Sequence, residues 1–450
     1  MAPRKVAPSS ITAARLLAAS FATAIAVGTG LLHLPQASTS EPLRWVDALF
    51  TATSATCVTG LIVVDTATRL STFGQVVVLV LLQVGGLGIM TLTTMFAYFI
   101  GGRVSIRGRE LIEETLTGPF SSIRDVLRAV LFFTVLAEGL GTLLLASHFA
   151  QRFPLKQAIW LGTFHAISAF CNAGFSLFSD SLIHYAADPF VNLVVMTLIV
   201  TGGLGFLVVY DLAGYALRPE VKRLSFHTRL VLRTTFWLIF VGAILLFTAE
   251  VGNTLAGKSV TEVFLVPFFQ SVTARTAGFN TVDIASLTNA SLLVLIVLMF
   301  IGASPGSCGG GIKTTTFATI TAVVSAHYRN HPDVVLMQRR VRRAIVSKAL
   351  IVFFFAAGLV LGVTFLLLTF ESPGRGVSSG DFVRYLFEAV SAFGTVGLST
   401  GVTSTLTVAG KLLITLTMFV GRLGPVTAAL IIGTGEPEPF RYPEEHYLVG

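Results

Sequence analysis

Long, unbroken runs of apolar residues dominate the pattern of hydrophobic and polar positions along the chain. Runs such as 76–82, 292–301 and 350–368 lack the alternating polarity, in segments of about ten residues, of a membrane-spanning β-barrel. The pattern therefore predicts membrane-spanning helices of about 20 residues each. The first run follows Arg4 and Lys5 and resembles a signal peptide, but its length, from residue 16 to 34, favours a first membrane helix.

Four short segments align without gaps, which predicts an internal repeat. In each segment a Phe lies ten residues before a Gly, small and hydroxyl residues fill the interval, and Leu or Phe follows the Gly. The four glycines are Gly60, Gly174, Gly278 and Gly397. A glycine-containing motif follows each of them, as QVGGLG, VTGGLG, FIGASPG and FVGRLG in chain order.

Each repeat consists of an apolar run, a short segment that ends near the glycine, and a second apolar run. A short segment of 11 residues would reach only about 16 Å, half of a bilayer, so it must enter and leave on one face. The chain is therefore predicted to be an all-α membrane protein with four parallel helix–pore loop–helix repeats around one pseudo-fourfold pore. This makes eight transmembrane helices and four re-entrant half-helices.

The predicted boundaries follow from these landmarks. The repeats comprise residues 1–101, 102–217, 218–328 and 329–434, followed by a cytoplasmic tail, 435–450. The half-helices are predicted near 47–57, 161–171, 261–274 and 381–393. The flanking apolar runs are 11–34 and 72–101, 126–150 and 189–217, 230–251 and 288–328, and 344–370 and 406–434.

Composition and charge agree with a membrane protein and orient it. Hydrophobic residues make up 53% of the chain and charged residues 12%, against about 25% charged residues in soluble domains. Of the 31 Lys and Arg residues, 19 lie in segments 1–15, 102–128, 216–233 and 329–348. The positive-inside rule places these segments and both termini in the cytoplasm of a cell-membrane protein. The net charge of +8 thus records topology and not nucleic-acid binding.

The repeated glycines predict a cation filter. A return loop at membrane depth has backbone carbonyl groups that lipid cannot satisfy, so it must line a polar cavity. Four such loops around one axis can replace the hydration shell of a monovalent cation. Glycine reaches backbone angles closed to other residues, and the half-helices would direct their partly negative ends at the ion. The alternative is that these glycines serve close helix packing.

These features resemble the Trk/Ktr/HKT superfamily of potassium transporters. The segments ARTAGFNT (274–281), GGIK (310–313) and GRLGP (421–425) are similar to its KtrB-type membrane subunits. In the plant branch of the superfamily, a serine in place of the first filter glycine accompanies sodium preference. This position is Gly60 here, so the resemblance implies potassium as the ion. It also implies a filter of four residues in each repeat, namely Val58, Thr59, Gly60 and Leu61; Asn172, Ala173, Gly174 and Phe175; Thr276, Ala277, Gly278 and Phe279; and Thr395, Val396, Gly397 and Leu398.

The same resemblance implies the assembly. It predicts a homodimer with one pore in each protomer, a cytosolic KtrA-like ring of nucleotide-binding regulatory subunits, and stimulation by sodium. None of the loops is long enough to fold into a nucleotide-binding domain, so regulation must come from another chain. No cofactor is expected on this chain beyond K⁺, with Na⁺ as an activator. The basic loops would dock the regulatory ring, or they serve topology and lipid headgroup attraction alone.

A glycine-rich break in the third repeat predicts a gate. Five glycines and one proline between residues 301 and 312 should end a helix at mid-membrane depth. The resemblance implies an intramembrane gate loop there, and the alternative is a static packing kink. The predicted gate residues are Gly306, Ser307, Gly309, Gly310, Gly311 and Lys313, with Arg422 of the fourth repeat.

Several charged residues have two interpretations each. Arg422 lies within an apolar run and either holds the gate loop through its carbonyl groups or extends to the cytoplasmic interface. Lys313 is a second electrostatic element or an interfacial lysine. Arg275 either supports the filter or pairs with a carboxylate, Asp283 or Glu388. The acids that follow three filters are an outer mouth or solvated loop residues; they are Asp65, Asp180 and Asp283.

The predicted function is potassium uptake through a channel-like transporter. The alternative is a sodium-coupled or less selective monovalent-cation transporter, for which Glu138 and Arg422 are the intramembrane ionisable candidates. We expect no enzyme, since the sequence contains no HExxH motif. Cys57 and Cys171 are expected to be small packing residues, because metal sites need more ligands than these two cysteines offer.

Overall fold

The computed structural model describes residues 8–88, 123–217, 223–371 and 380–424, and within them it confirms the predicted all-α character. A two-residue antiparallel hairpin, Val335–Leu336 with Arg339–Arg340, interrupts the helices. The α-helices of the described residues are α1 (Pro8–His33), α2 (Trp45–Thr56), α3 (Thr72–Leu87), α4 (Ile123–Phe149), α5 (Leu155–Phe170), α6 (Pro189–Leu204), α7 (Phe206–Leu217), α8 (Phe226–Glu250), α9 (Val260–Thr273), α10 (Asn289–Phe300), α11 (Thr314–Tyr328), α12 (Arg343–Glu371), α13 (Asp381–Gly394) and α14 (Val408–Leu423).

Three described helices are long and apolar enough to cross a membrane by themselves. They are α4 from Arg128 onward, α8 and α12, which are the first helices of repeats two, three and four. A fourth span is possible if α6 and α7, bent by 104° at their junction, count as one. The predicted runs 72–101 and 406–434, the segment 102–128 and the tail 435–450 lie partly or wholly outside the described residues. The count of eight spans therefore stays a prediction.

Short helices lie at the four positions predicted for half-helices; they are α2, α5, α9 and α13, of 12, 16, 14 and 14 residues. Helices of that length reach about 18–24 Å, less than the roughly 30 Å of a hydrocarbon core. The second of them was predicted to begin near residue 161 but begins at Leu155, directly after Pro154. Proline is tolerated there, because it lies before the first helical N–H that needs a partner.

The first described helix of the second apolar run ends before the end of that run in every repeat, whereas the sequence predicted such an end in the third repeat alone. In the described residues α3, α6 and α14 each end at a glycine with φ of +72°, +87° and +84°, respectively. These glycines are Gly88, Gly205 and Gly424. A left-handed glycine ends a helix because the chain can no longer continue the right-handed ladder. The prediction of a single second helix over 189–217 is therefore wrong, because the apolar run forms two helices bent by 104° at Gly205.

Polar groups are concentrated inside the molecule, and large apolar side chains cover its flanks. Fully buried residues include many serines and threonines of the short helices, such as Ser54, Ser168 and Ser391. In contrast, Phe132 of α4 is 71% exposed and Phe354 of α12 is 69% exposed. This arrangement suits a bilayer, where lipid surrounds apolar side chains and polar groups must find partners within the protein.

Candidate functional site

The C-terminal end of each short helix leads into a loop with the same backbone pattern in all four repeats. We call these the filter loops; they comprise residues 58–61, 172–175, 276–279 and 395–398. The first residue of each has positive φ, with Val58 at +56°, Asn172 at +58°, Thr276 at +79° and Thr395 at +49°. The third residue is the repeated glycine, with φ between +68° and +95°. Positive φ is rare for Val and Thr, so the backbone is strained at Val58, Thr276 and Thr395, whereas Asn172 adopts this conformation more readily.

The four loops close into a ring. A Cβ atom on Gly60 would overlap the carbonyl oxygen of Ala173, and one on Gly174 would lie 2.8 Å from the carbonyl oxygen of Ala277. In the same way, a Cβ on Gly278 would overlap the oxygen of Val396, and one on Gly397 would overlap that of Thr59. Each loop thus touches the next in chain order, and the fourth touches the first. Repeats one and three, and repeats two and four, therefore lie opposite each other.

The backbone N–H groups of these loops point back to the short helices. Thr59 donates to the carbonyl of Ser54 at 2.8 Å, and Gly60 donates to the hydroxyl of the same serine at 3.1 Å. Val396 and Gly397 repeat both bonds with Ser391, at 2.9 and 3.1 Å. Among the described residues, no hydrogen bond reaches the carbonyl oxygens of residues 58–60, 172–174, 276–278 and 395–397. The ring therefore presents three unpaired carbonyl groups from each loop.

The third repeat is shifted by one residue. The ungapped alignment pairs Phe268 with Phe50, Phe164 and Phe387, yet Phe268 is 38% exposed and Phe269 is buried in its place. Ala277 donates to the carbonyl of Thr273, four residues back, where the other repeats reach back five residues. The pairing of Phe268 with the other three phenylalanines is therefore wrong, although the alignment of Gly278 holds.

The glycine-rich loop, residues 301–313, lies directly against the ring. The backbone N–H of Gly310 donates to Thr395 Oγ1 at 2.9 Å, and a Cβ on Gly309 would overlap Thr276 Oγ1. On its other side the loop joins the end of α6, since Ser304 N donates to the carbonyl of Gly203 at 3.1 Å. The loop is thus held between two first-position filter residues and a second helix.

Arg422 and Lys313 both donate to carbonyl groups of this loop. The Arg422 guanidinium bridges the carbonyl oxygens of Cys308 and of Gly85 at the end of α3. Lys313 Nζ donates to the carbonyl of Gly309 at 2.6 Å. Both cations line a cavity of about 320 Å³ together with Gly306, Ser307 and Gly309. Gly310 and Gly311, in contrast, are buried on the side of the filter loops.

A family model described as TrkH, cation transport protein, matches residues 12–438. The chain belongs to this family. Family membership and the apolar helices together make it a membrane protein. The Ktr system potassium uptake protein B of Bacillus subtilis is 39% identical over 98% of this chain and 97% of its own length. Its namesake from Vibrio alginolyticus is 37% identical over 97% of this chain and 94% of its own.

Two further proteins are similar to this chain, one in sequence and one in structure. The potassium/sodium uptake protein NtpJ of Enterococcus hirae is 37% identical over 97% of each chain. The crystal structure of the potassium transporter TrkH from Vibrio parahaemolyticus superposes with a TM-score of 0.74 at 17% identity, covering 96% of this chain and 87% of that one. This likeness shows that the two chains share a fold.

Other predicted residues of this TrkH-family chain have local partners. Arg275 is buried and donates to the carbonyl of Gly302 at 3.4 Å, and it forms no ion pair with Asp283 or Glu388. The carboxylate alternatives for Arg275 are therefore wrong. Among the acids after the filters, Asp65 accepts from the backbone of Ala67 at 2.8 Å, and Asp180 pairs with His184. Their role in an outer mouth stays a prediction.

The cysteines and the intramembrane acid are also placed. Cys57 and Cys171 are buried, as packing residues are, and no metal-binding group of three or more His, Cys, Asp or Glu side chains occurs among the described residues. Glu138 accepts from Gln83 Nε2 at 2.6 Å and lies 3.8 Å from Cys171 Sγ. It therefore sits beside the second filter loop with neutral partners.

Two features escaped sequence reasoning. Residues 302–306 spell G-x-S-x-G, a hydrolase motif, but Ser304 is buried and its Oγ accepts from Thr314 Oγ1 at 3.0 Å. A hydrolase would need a histidine base beside that serine. His165 and Glu388, the second feature, lie behind two filter loops. Their shared position, nine residues before the filter glycine, was the signal that could have revealed them.

Proposed function

We propose that this protein carries potassium across the cell membrane into the cell through the ring of filter loops. The supporting observation is the unpaired carbonyl groups that the loops present, three from each repeat around one axis. Carbonyl rings of this kind can replace the hydration shell of K⁺. Two relatives that align with nearly the full length of the chain are named potassium uptake proteins, which supports the choice of ion.

The short helices contribute electrostatically. At most two residues separate the end of each from its filter loop, so its partly negative C-terminal end lies close to the unpaired carbonyl groups. All sixteen residues of the four filter loops belong to the proposed filter. In this proposal four parallel helix–pore loop–helix repeats, with eight transmembrane helices, surround the ion path.

The glycine-rich loop acts as the gate in this proposal. It lies beneath Thr276 and Thr395, and Arg422 fastens it to the end of α3. Arg422 and Lys313 also place two positive charges on the path of a cation, which raises the electrostatic barrier. Opening would then require the loop to move away and Arg422 to release the carbonyl of Cys308.

The assembly and its control are part of the same proposal. We expect a homodimer, as the resemblance to KtrB-type subunits implies. We also expect both termini on the cytoplasmic side of the cell membrane, as the distribution of Lys and Arg predicts. A cytosolic KtrA-like ring that binds nucleotide would move the gate, and Na⁺ would stimulate transport. The word system in the names of two relatives supports a multi-subunit assembly.

A second candidate is sodium-coupled or less selective cation transport. The relative from Enterococcus hirae is named a potassium/sodium uptake protein, and Glu138 provides an ionisable group near the gate. Uptake by purified protein in liposomes separates the two candidates. Passive, potassium-selective flux supports the first, and uptake that requires a sodium gradient supports the second.

The direct test is growth of a bacterium that lacks its own potassium uptake systems, at low potassium, with and without the regulatory subunit. Wild-type protein together with its partner should restore growth. Gly278→Asp should not, because its side chain would enter the space of the Val396 carbonyl. Failure of the wild type with its partner, or equal rescue by the variant, would overturn the proposal.

A further inference from the structure

Two titratable side chains lie behind opposite filter loops, and neither belongs to the filter or to the gate. His165 of α5 and Glu388 of α13 both precede their filter glycine by nine residues, and both are fully buried. Burial of a carboxylate or an imidazole is costly unless hydrogen bonds satisfy it. The partners of these two residues therefore indicate what they hold in place.

His165 holds a serine at the outer end of the second filter loop. Its Nδ1 lies 2.8 Å from the carbonyl oxygen of Leu161, so this nitrogen carries the hydrogen. Its Nε2 is then an acceptor and lies 2.9 Å from Ser176 Oγ, which donates to it. Ser176 Oγ in turn accepts from the backbone N–H of Phe178 at 2.9 Å.

Glu388 forms the same arrangement in the fourth repeat. Its Oε1 accepts from Ser399 Oγ at 2.6 Å, and Ser399 Oγ accepts from the backbone N–H of Gly401 at 2.9 Å. Glu388 also accepts from the backbone of Thr400 at 3.0 Å and from Thr403 Oγ1 at 2.6 Å. Its carboxylate thus gathers the whole segment that leaves the filter.

The two sites share geometry without sharing chemistry. Ser176 and Ser399 are both the second residue after the filter glycine, and each links a backbone N–H two residues ahead to an acceptor on the short helix. An imidazole nitrogen accepts in one repeat and a carboxylate oxygen in the other. What the two repeats have in common is therefore an acceptor for the serine hydroxyl.

The other two repeats lack this serine link. In repeat one Thr51 donates within its own helix, to the carbonyl of Asp47 at 2.8 Å. In repeat three, with its shifted register, Gln270 makes a long contact of 3.4 Å from Nε2 to Thr281 Oγ1. The serine link thus occurs at two opposite sides of the ring.

We propose that His165 and Glu388 are positioning residues that fix the outer ends of filter loops two and four and thereby set the discrimination between potassium and sodium. The inference rests on the proposed function. Ser176 and Ser399 directly follow the last filter residues, Phe175 and Leu398. A shift of either serine therefore moves the neighbouring glycine carbonyl, and discrimination depends on the spacing and field of such carbonyl groups.

The test uses purified full-length protein in liposomes. The measured quantity is the ratio of the sodium to the potassium concentration that halves the uptake of a rubidium tracer. His165→Leu and Glu388→Leu remove the acceptor and should lower this ratio about tenfold, the effect of one lost buried hydrogen bond. Glu388→Gln keeps an acceptor oxygen for Ser399 and should retain most of the wild-type ratio.

Glu250→Leu is the matched control. Glu250 is also buried and accepts from Thr288 and Ser291 at 2.5–2.9 Å, but it joins α8 to α10 away from the filter loops. Its loss should lower thermal stability and leave the ratio unchanged. If Glu388→Leu and Glu250→Leu both lower stability and neither changes the ratio, the two residues are structural and the inference is wrong.

Two smaller variants keep the test decisive if a leucine variant fails to fold. Ser176→Ala and Ser399→Ala each delete one hydroxyl and should lower the ratio about as much as loss of the acceptor. A wild-type ratio in both alanine variants would overturn the inference. A wild-type protein that does not discriminate potassium from sodium would instead overturn the proposed function, so the two failures can be told apart.

Discussion

The ring of filter loops and the region beneath it follow opposite rules. In the ring, four stretches of different sequence share one pattern of φ angles, and each glycine packs against the next loop. Beneath it, the four second helices all stop, but the third repeat supplies the glycine-rich loop and the fourth supplies Arg422. In the proposed function, an ion bound from four sides would require equivalent backbones, whereas a gate would require one element that can move and another that restrains it.

The strongest test of the ring is Gly278→Ala. We expect K⁺ uptake to fall about a hundredfold, because the new methyl group would overlap the Val396 carbonyl and because a left-handed φ costs alanine about 1–2 kcal/mol. Uptake in the complementation strain and in liposomes measures the loss. Gly358→Ala is the control, since a Cβ there meets open space. Equal uptake by the two variants would contradict the expectation that close packing at Gly278 is needed for transport.

The strongest test of the lower region is Arg422→Ala. Removal of the guanidinium releases the carbonyl groups of Cys308 and Gly85 and deletes a positive charge from the path, so flux should rise about tenfold. Rubidium tracer uptake at matched expression measures the change. Arg340→Ala is the control, because Arg340 is exposed and pairs with Asp333 on the hairpin. Unchanged flux in Arg422→Ala would contradict a latch.

Lys313→Met should give a smaller rise, of about threefold. Lys313 contributes one charge and one hydrogen bond, to the carbonyl of Gly309 within its own loop, and it does not bridge two elements as Arg422 does. The same tracer assay applies, with the exposed Lys348→Met as control. A larger effect for Lys313 than for Arg422 would show that the main restraint lies within the loop itself and not in its contact with α14.

Thr395→Val tests the boundary between the two regions. Its backbone belongs to the ring, but its hydroxyl accepts from Gly310 of the loop. We expect flux to rise about twofold because this bond is lost. The ratio of the sodium concentration to the potassium concentration that halves rubidium uptake should not change. Thr405→Val, at an exposed position, is the control. A changed ratio would show that ring and loop act as one unit, and the comparison between them would fail.

The positions of the four repeated glycines could be predicted because the same sequence pattern recurs four times in the chain. Gly60, Gly174, Gly278 and Gly397 each lie three to five residues after the end of a short helix, and a helix too short to span the bilayer must turn back. The glycine-rich loop could be located from its composition, because five glycines and a proline cannot continue a helix.

The remaining features depend on contacts that sequence does not display. Gly88, Gly205 and Gly424 look like packing glycines in apolar runs, and the surrounding structure alone gives them a left-handed φ. The partner of Arg275 is a backbone carbonyl, which every residue offers, so no pattern singles out Gly302. His165 and Glu388 share no chemistry by type, and their equivalence appears only when both are seen to hold a serine.

The contact between Gly397 and Thr59 has a consequence for biogenesis. It joins the last quarter of the chain to the first, so the ring closes only after nearly all of the polypeptide has been synthesised. Contacts of such long sequence separation form slowly and leave partly assembled intermediates exposed. Until the fourth repeat has been made, the loops of repeats one and three each lack one neighbour. A chain truncated before the fourth repeat should therefore be recognised by quality control as unfinished.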